Sequence, residues 1–310
     1  MSPAFCVYAN TDEECWFCPL TGGQEYLKSV GMDRPVVVTP QKVVEALMIV
    51  RDEQRAKVGK YLDKKIPCGQ SNCHCLTWLI SGGSIYDPEK EAARYIPYIE
   101  AVRKALPEYN TYVETQACSP KSAEKLAKAG LHGIQYNIEV WNKKMFYVTC
   151  PGKAKNITWE KWTEWLAGAV PFYERGHVVS NQVLGLELQP PEGFKDLEQG
   201  FESVMEGQEW FARHGIAPSW TPFVTYTGTK IENAPCPPTE YYLRVGIATH
   251  DLMLEHRLYT PSRFFFCYRG GIIMGSCDFA RLRWDEGVKY NEYRDPCMQR
   301  QEEAKSVLAP

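Results

Sequence analysis

Residues 111–140 read TYVETQACSPKSAEKLAKAGLHGIQYNIEV and contain the pattern that decides the fold. Thr111–Thr115 is rich in the β-branched and aromatic residues that favour strands. Ser119 is typical of a helix start, and Gly130 is typical of a helix end. A second strand is predicted over His132–Val140, where apolar residues recur at every second position. The stretch therefore predicts a strand, a helix and a strand, which is the repeating unit of a parallel sheet.

The same unit recurs on both sides of this stretch. Further strands are predicted over Ala4–Ala9, Leu76–Ser81, Val178–Leu186 and Pro218–Thr225, and further helices over Thr39–Glu53, Pro88–Leu106, Trp159–Tyr173, Phe194–His214 and Pro238–Leu258. Six consecutive units predict an α/β fold, a partial (β/α)6 TIM-like barrel over residues 1–258. Residues 259–310, rich in aromatic residues and cysteine, are expected to form a C-terminal extension that covers the barrel mouth. Active sites of such barrels lie at the carboxyl ends of the strands.

Composition excludes several classes of protein. A net charge of -3 argues against nucleic acid as the main partner. No apolar run approaches the roughly 20 residues of a membrane helix, and the first residues lack the features of a signal peptide. We therefore expect a cytoplasmic protein without a membrane partner. In that reducing compartment, the 12 cysteines favour metal ligation or buried packing over a disulfide framework.

Three cysteines follow the first predicted strand closely. Cys6 lies near its end, and Cys15 and Cys18 follow in the next loop. Three thiolates on one loop can hold three irons of a [4Fe–4S] cluster and leave the fourth iron open to a ligand. A zinc site that takes a fourth ligand such as Cys68 would use the same residues. The spacing of the cysteines alone does not distinguish these two sites.

With these cysteines the chain resembles the radical S-adenosylmethionine (SAM) superfamily. Phe17 stands where that family has an aromatic residue before its last cysteine, although eight residues separate Cys6 from Cys15 where the family usually has three. The resemblance extends over Ala4–Leu258 and is closest to the biotin-synthase-like branch. The chain is not expected to be a biotin synthase itself, because Glu114 stands at a position where that enzyme has a cluster cysteine.

Later segments resemble the family's other motifs in the same order. Ser81, Gly82 and Gly83 stand in the place of a turn that holds the methionine amino group of SAM. The resemblance also assigns cofactor-binding roles after two later strands, to Asn137 and Glu139 near the ribose and the substrate, and to Gly185 and Glu187 near the adenine. Residues 222–229 resemble the family's sixth strand and its loop.

The resemblance implies a reaction. A reduced [4Fe–4S] cluster would cleave SAM to a 5′-deoxyadenosyl radical, which abstracts hydrogen from a small-molecule biosynthetic precursor. Sulfur insertion, carbon-skeleton rearrangement or cleavage, and methylation all share this step. The electron would come from a flavodoxin- or ferredoxin-type donor. Glu114 and Cys118 follow the third predicted strand and are the catalytic candidates, although Glu114 would equally suit a salt bridge to a neighbouring strand.

The remaining cysteines leave an auxiliary iron–sulfur or zinc site open. Two groups are candidates, the first being Cys68, Cys73 and Cys75, and the second being Cys118, Cys150, Cys236, Cys267, Cys277 and Cys297. Buried free thiols are the alternative for both groups. Two other functions also stay open for the whole chain. It could be a zinc-stabilised β/α enzyme without redox chemistry, or a non-enzymatic iron–sulfur carrier.

Overall fold

The computed structural model describes residues 6–31, 38–59 and 77–258. Its strands are β1 (Thr77–Ser81), β2 (Asn110–Thr115), β3 (Gly133–Tyr136), β4 (Val178–Leu184) and β5 (Ala217–Pro222). Its helices are α1 (Leu20–Ser29), α2 (Pro40–Gly59), α3 (Pro88–Ala105), α4 (Pro120–Lys128), α5 (Lys143–Thr149), α6 (Pro151–Asn156), α7 (Trp159–Ala169), α8 (Leu197–Arg213) and α9 (Thr239–Glu255). The predicted C-terminal extension lies outside the described residues.

The five strands form one parallel sheet whose spatial order is the order in the sequence. Each strand is followed by at least one helix before the next begins, so every connection is a crossover of the β/α kind. All five carboxyl ends therefore lie at the same edge. The α/β class is confirmed.

Polar side chains cap the helices where the sequence predicted their starts. Ser119 accepts a hydrogen bond from Ser122 N and begins α4, and Thr158 accepts one from Lys161 N and begins α7. Asp87 caps α3 in the same way, through Glu89 N and Lys90 N. Each cap satisfies backbone donors that the first helical turn cannot pair internally.

The predicted first strand is wrong over its described part. Residues 7–10 form a turn, in which Asn10 adopts a left-handed φ of 57° and Thr11 Oγ1 donates to Tyr8 O at 2.6 Å. Val7 N nevertheless donates to Ser84 O at 2.9 Å, which fixes the segment beside the end of β1. The apolar run thus packs against the sheet edge without extending as a strand, and Ala4 and Phe5 lie outside the described residues.

Three helices were not predicted, namely α1, α5 and α6. The last two are short and occupy the connection between β3 and α7, where they place their residues over the carboxyl end of the sheet. Within the described part of the chain, no helix is both long and apolar enough to cross a membrane.

Candidate functional site

Loops at the carboxyl ends of β1, β2 and β3 enclose a cavity of about 210 Å³ together with the cysteine loop, which we define as residues 6–18. Its lining contains three thiols, several polar groups and few large apolar side chains. The lining residues are Cys6, Tyr8, Cys15, Phe17, Cys18, Leu20, Ser81, Gly82, Gly83, Ser84, Glu114, Thr115, Gln116, Asn137, Glu139 and Lys153. The cavity thus brings together ten of the predicted site residues, namely Cys6, Cys15, Cys18, Phe17, Ser81, Gly82, Gly83, Glu114, Asn137 and Glu139.

Backbone hydrogen bonds hold the cysteine loop against the junction of α5 and α6. Trp16 N donates to Thr149 O at 2.9 Å, and Gly152 N donates to Glu13 O at 3.0 Å. Lys155 adds a surface ion pair to Glu13. The loop position is therefore set by main-chain contacts on both sides of Cys15.

The three thiols are half-buried side chains on the wall of one cavity. Burial raises the pKa of Cys6, although backbone hydrogen bonds from Tyr8 and Ser84 oppose the shift. Burial also raises the pKa of Cys18 to about 12. A metal ligand must be a thiolate, so bound iron would have to supply positive charge in addition to that of Lys153, which also lines the cavity.

Two charged side chains of α3 hold the glycine turn, which comprises residues 81–84. Arg94 Nη2 donates to Gly83 O at 2.8 Å, and Glu91 Oε2 accepts from Ile85 N at 2.8 Å. Glu91 is fully buried, and its carboxylate accepts several hydrogen bonds. The turn is thus fixed from behind, and its inner side faces the cavity.

Glu91 also reaches the end of β2. Its Oε1 accepts from Thr115 Oγ1 at 2.5 Å, and its Oε2 accepts from Gln116 Nε2 at 2.7 Å. Gln116 Nε2 donates in addition to Ile85 O at 2.6 Å. One buried carboxylate therefore links two wall segments of the cavity, after β1 and after β2.

Glu114 and Asn137 form a polar pair inside the barrel. Asn137 Nδ2 donates to Glu114 Oε1 at 2.5 Å, and Asn137 Oδ1 accepts from Gln135 Nε2 at 2.7 Å and from Asn181 N at 3.2 Å. The backbone donor at Asn181 fixes which end of the Asn137 amide points to Glu114. The Glu114 carboxylate is thereby held at the cavity wall, where the sequence placed it.

Glu139 is paired with Lys153 in the cavity wall. The Lys153 ammonium donates to Glu139 Oε1, and the two side chains are only 14% and 10% exposed. Burial raises the pKa of Glu139, and the charge of Lys153 acts against it. Burial alone would lower the pKa of Lys153, but Glu139 and the nearby cysteine sulfurs raise it. The ammonium is consequently held charged beside the thiols.

Gly185 and Glu187 lie elsewhere, in the turn after β4. Gly185 has a φ of 106°, which favours glycine, and a Cβ there would lie 2.7 Å from Pro237 Cγ. Glu187 is buried, accepts from Gly185 N at 2.9 Å and receives the Tyr241 hydroxyl. Burial raises its pKa to about 7. These two predicted cofactor residues do not line the cavity and instead stabilise their own turn.

Cys118 does not line the cavity either. Its side chain is fully buried, and its Sγ lies 2.8 Å from the Tyr136 hydroxyl. The position after β2 was predicted correctly, but the side chain turns toward the core on the other side of the sheet edge. This correction removes Cys118 from the groups that could touch a reactant.

The other cysteines separate into described and undescribed residues. Cys150 is fully buried and Cys236 is exposed, and the described cysteines are all free thiols. Among residues 6–31, 38–59 and 77–258, no three His, Cys, Asp or Glu side chains are arranged to hold a single metal ion. The remaining members of both predicted auxiliary groups lie outside the described residues: Cys68, Cys73, Cys75, Cys267, Cys277 and Cys297.

Sequence reasoning missed Lys153, Glu91 and Arg94. Lys153 belongs to α6, which was not predicted, and the two α3 residues contact the cavity segments only through the tertiary fold. One local signal existed, since the spacing of Glu91 and Arg94 places both on one face of a helix that directly follows the glycine turn.

Three solved structures have a similar fold. The [FeFe]-hydrogenase maturase HydG from Carboxydothermus hydrogenoformans matches with a TM-score of 0.58 and 13% identity, over 83% of this chain and 51% of that one. A second HydG structure matches with a TM-score of 0.56 and 13% identity, over 95% and 52%. Methylornithine synthase, PylB, matches with a TM-score of 0.50 and 12% identity, over 98% and 83%.

The fold is similar to that of HydG and of PylB. At 12–13% identity the likeness concerns the fold alone, and the chain spans about half the length of the two HydG chains. No protein-family model matches the sequence, and no curated protein matches it. The residues of the cavity must therefore carry any statement about function.

Proposed function

We propose that this chain is a radical SAM enzyme whose Cys6, Cys15 and Cys18 bind a [4Fe–4S] cluster. One observation carries the proposal: these thiols and the glycine turn line the same cavity, at the carboxyl ends of three parallel strands. A fold shared with HydG and PylB supports it. The finer assignment to a biotin-synthase-like branch rests on the sequence motifs alone.

The residues present fit such a cluster. Three thiolates are the soft ligands that iron–sulfur clusters require, and they leave one iron without a protein ligand. A cluster is larger than an ion, so its ligands surround a cavity and do not converge on one point. The arrangement of these thiols agrees with that requirement, because they line one cavity.

The chain's own residues would bind and orient SAM. When bound, the cluster supplies the electron that cleaves SAM to a 5′-deoxyadenosyl radical. The glycine turn would offer backbone groups to the amino acid portion of SAM, and Phe17, which lines the same cavity, would pack beside it. Lys153 places a cation in the cavity, where it suits the carboxylate of that portion. Asn137 and Glu139 would hydrogen-bond the ribose and the substrate.

Glu114 is the residue that we assign to the substrate. Its carboxylate faces the cavity and is oriented by Asn137, so that it can accept a hydrogen bond from the substrate or take up a proton. The substrate would be a small biosynthetic precursor that loses a hydrogen atom. A flavodoxin- or ferredoxin-type protein would supply the electron in the cytoplasm, and residues 259–310 would cover the barrel mouth.

The test is the formation of 5′-deoxyadenosine. The protein is reconstituted anaerobically with iron and sulfide, then given SAM and dithionite, with and without a cell extract as a source of substrate. The variant with Cys6, Cys15 and Cys18 all changed to alanine is the control. Formation by the wild type and not by the variant supports the proposal. A wild type that holds the cluster but forms no 5′-deoxyadenosine would refute it and favour an iron–sulfur carrier.

A further inference from the structure

Polar side chains cover the inner face of the sheet, where β/α barrels usually carry branched apolar residues. Asn181 Nδ2 donates to Thr221 Oγ1 at 3.2 Å, and Ser219 Oγ donates to Asn181 Oδ1 at 3.2 Å. The Asn181 backbone N donates to Asn137 Oδ1 at 3.2 Å, which connects this group to the cavity lining. We define the inner polar face as Glu114, Gln135, Asn137, Asn181, Ser219 and Thr221.

Asn137 fixes the orientation of its two neighbours on this face. Its Oδ1 accepts from Gln135 Nε2 at 2.7 Å, and its Nδ2 donates to Glu114 Oε1 at 2.5 Å. The Gln135 amide therefore turns its nitrogen toward Asn137. Its oxygen is buried and has no hydrogen-bond partner within the part of the chain that the structure describes. A buried acceptor without a donor is costly, so it indicates a place where a ligand can donate a hydrogen bond.

Glu114 and Gln135 lie side by side. In the register of the sheet, Glu114 of β2 is the Cα partner of Gln135 of β3. Neighbouring strands are about 4.8 Å apart, so one small group can contact both side chains. Glu114 lines the cavity, and Gln135 is the buried side chain next to it. The carboxylate and the amide oxygen thus form a pair of adjacent acceptors at the cavity wall.

The charges of the cavity lining favour a cation at Glu114. The lining contains two carboxylates, Glu114 and Glu139, and one ammonium, that of Lys153. Lys153 is paired with Glu139. Among residues 6–31, 38–59 and 77–258, Glu114 forms no ion pair, and its carboxylate accepts from the neutral amide of Asn137. An anionic group of a ligand would be repelled there, whereas an ammonium would form a charge-assisted hydrogen bond.

We propose that the substrate carries a protonated amine, which Glu114 and Gln135 hold inside the barrel. An ammonium has three donors and no acceptor. It can therefore donate to the carboxylate of Glu114 and to the amide oxygen of Gln135 at the same time. The rest of the inner polar face would hydrogen-bond other polar groups of the same molecule. This inference rests on the proposed function and deepens it, because it names the chemical class of the precursor that loses a hydrogen atom.

The first test separates a cell extract on a sulfonate cation exchanger at about pH 2, where carboxylic acids are neutral and amines are cations. Each fraction is neutralised and added to the reconstituted protein with SAM and dithionite. We expect the retained fraction to stimulate 5′-deoxyadenosine formation, and the fraction that passes through to have no effect. Acetylation of the retained fraction converts its amines to neutral amides and should abolish the stimulation.

The second test is Glu114→Gln, which keeps an acceptor for Asn137 and removes the charge. The amount of retained fraction that gives half of the maximal stimulation should rise at least about tenfold. Ultrafiltration of the unreduced protein with SAM and the same fraction, followed by mass spectrometry, should show an amine that the wild type retains and the variant does not. Glu89→Gln is the control, because its carboxylate bonds Ser119 and does not line the cavity. It should behave like the wild type.

Three results would overturn the inference. One is stimulation by the fraction that passes through, or by the retained fraction after acetylation. Another is an equal half-maximal amount for the wild type and Glu114→Gln. The third is an equally large rise in the Kd for SAM in that variant without extract, which would place a cationic group of SAM itself at Glu114. If the variant takes up no cluster, the two fractions and the acetylation decide with the wild type alone. A clustered wild type that forms no 5′-deoxyadenosine with either fraction would instead refute the proposed function.

Discussion

Two glutamates that follow neighbouring strands have opposite roles in this molecule. Glu139 comes after β3, lines the cavity and is paired with the buried ammonium of Lys153. Glu187 comes after β4, turns back onto the backbone of Gly185 and receives the hydroxyl of Tyr241. Both are buried, and burial raises the pKa of both. The difference lies in the partner: Glu139 is paired with a cation whose charge opposes the rise of its pKa, whereas Glu187 accepts hydrogen bonds from a backbone amide and a hydroxyl of its surroundings.

The largest expected effect follows from removing the cation that pairs with Glu139. Lys153→Met should lower the free energy of unfolding by about 3–5 kcal/mol, because it leaves a buried carboxylate without its cation. Urea unfolding at equal cluster loading measures this loss. Lys155→Met is the matched control, since its ion pair with Glu13 is at the surface and the lysine side chain is 76% exposed. The control should lose about 1 kcal/mol or less. Equal losses in both variants would show that the buried pair has no special weight.

The raised pKa of Glu187 should make the free energy of unfolding depend on pH. With a pKa of about 7 in the folded protein and an ordinary value of 4.5, Glu187 favours folding while it is protonated. This contribution is complete below pH ~4.5 and is lost as the pH rises through 7. Relative to Glu187→Gln, the wild type should lose on the order of 3 kcal/mol of stability across that range. Denaturant unfolding at pH 5, 6, 7 and 8 tests this, and parallel curves for the two proteins would contradict it.

A smaller effect concerns the wall behind the cavity. Glu91→Gln places an amide where several donors converge, so the glycine turn and the end of β2 should shift slightly. We expect about a tenfold rise in the Kd for SAM. Glu89→Gln is the matched control from the same helix. Its carboxylate bonds Ser119 and Ser122 at the start of α4 and does not line the cavity. It should change stability by about 1 kcal/mol without changing the Kd. Similar Kd values in both variants would refute a special role for Glu91.

Much of the fold was predictable because local signals agreed with it. Ser119 and Thr158 begin their helices as expected, and five of the six predicted strands are present. The prediction of the first strand was wrong because an apolar run does not show whether its backbone pairs with a neighbouring strand. Val7 N donates to Ser84 O beside the end of β1, and the chain then turns at Asn10.

The cavity residues were predictable from the sequence where they lie at the carboxyl ends of strands, and less so elsewhere. The glycine turn, Glu114, Asn137 and Glu139 directly follow or end strands, and parallel strands bring their carboxyl ends together. Lys153 could not be found this way, because its helix was not visible in the sequence. Gly185 and Glu187 matched a motif, but only the tertiary partner Tyr241 shows that this glutamate is satisfied within its own turn.

The central claim is that Cys6, Cys15 and Cys18 hold one [4Fe–4S] cluster. The most direct measurement is the iron and sulfide content of the anaerobically reconstituted protein and of each single cysteine-to-alanine variant, with Cys236→Ala as the exposed control. We predict that each of the three ligand variants loses about four irons and four sulfides per chain relative to the wild type, whereas the control loses none. Unchanged iron in the three variants, or tightly held zinc in a colourless wild type, would contradict the account.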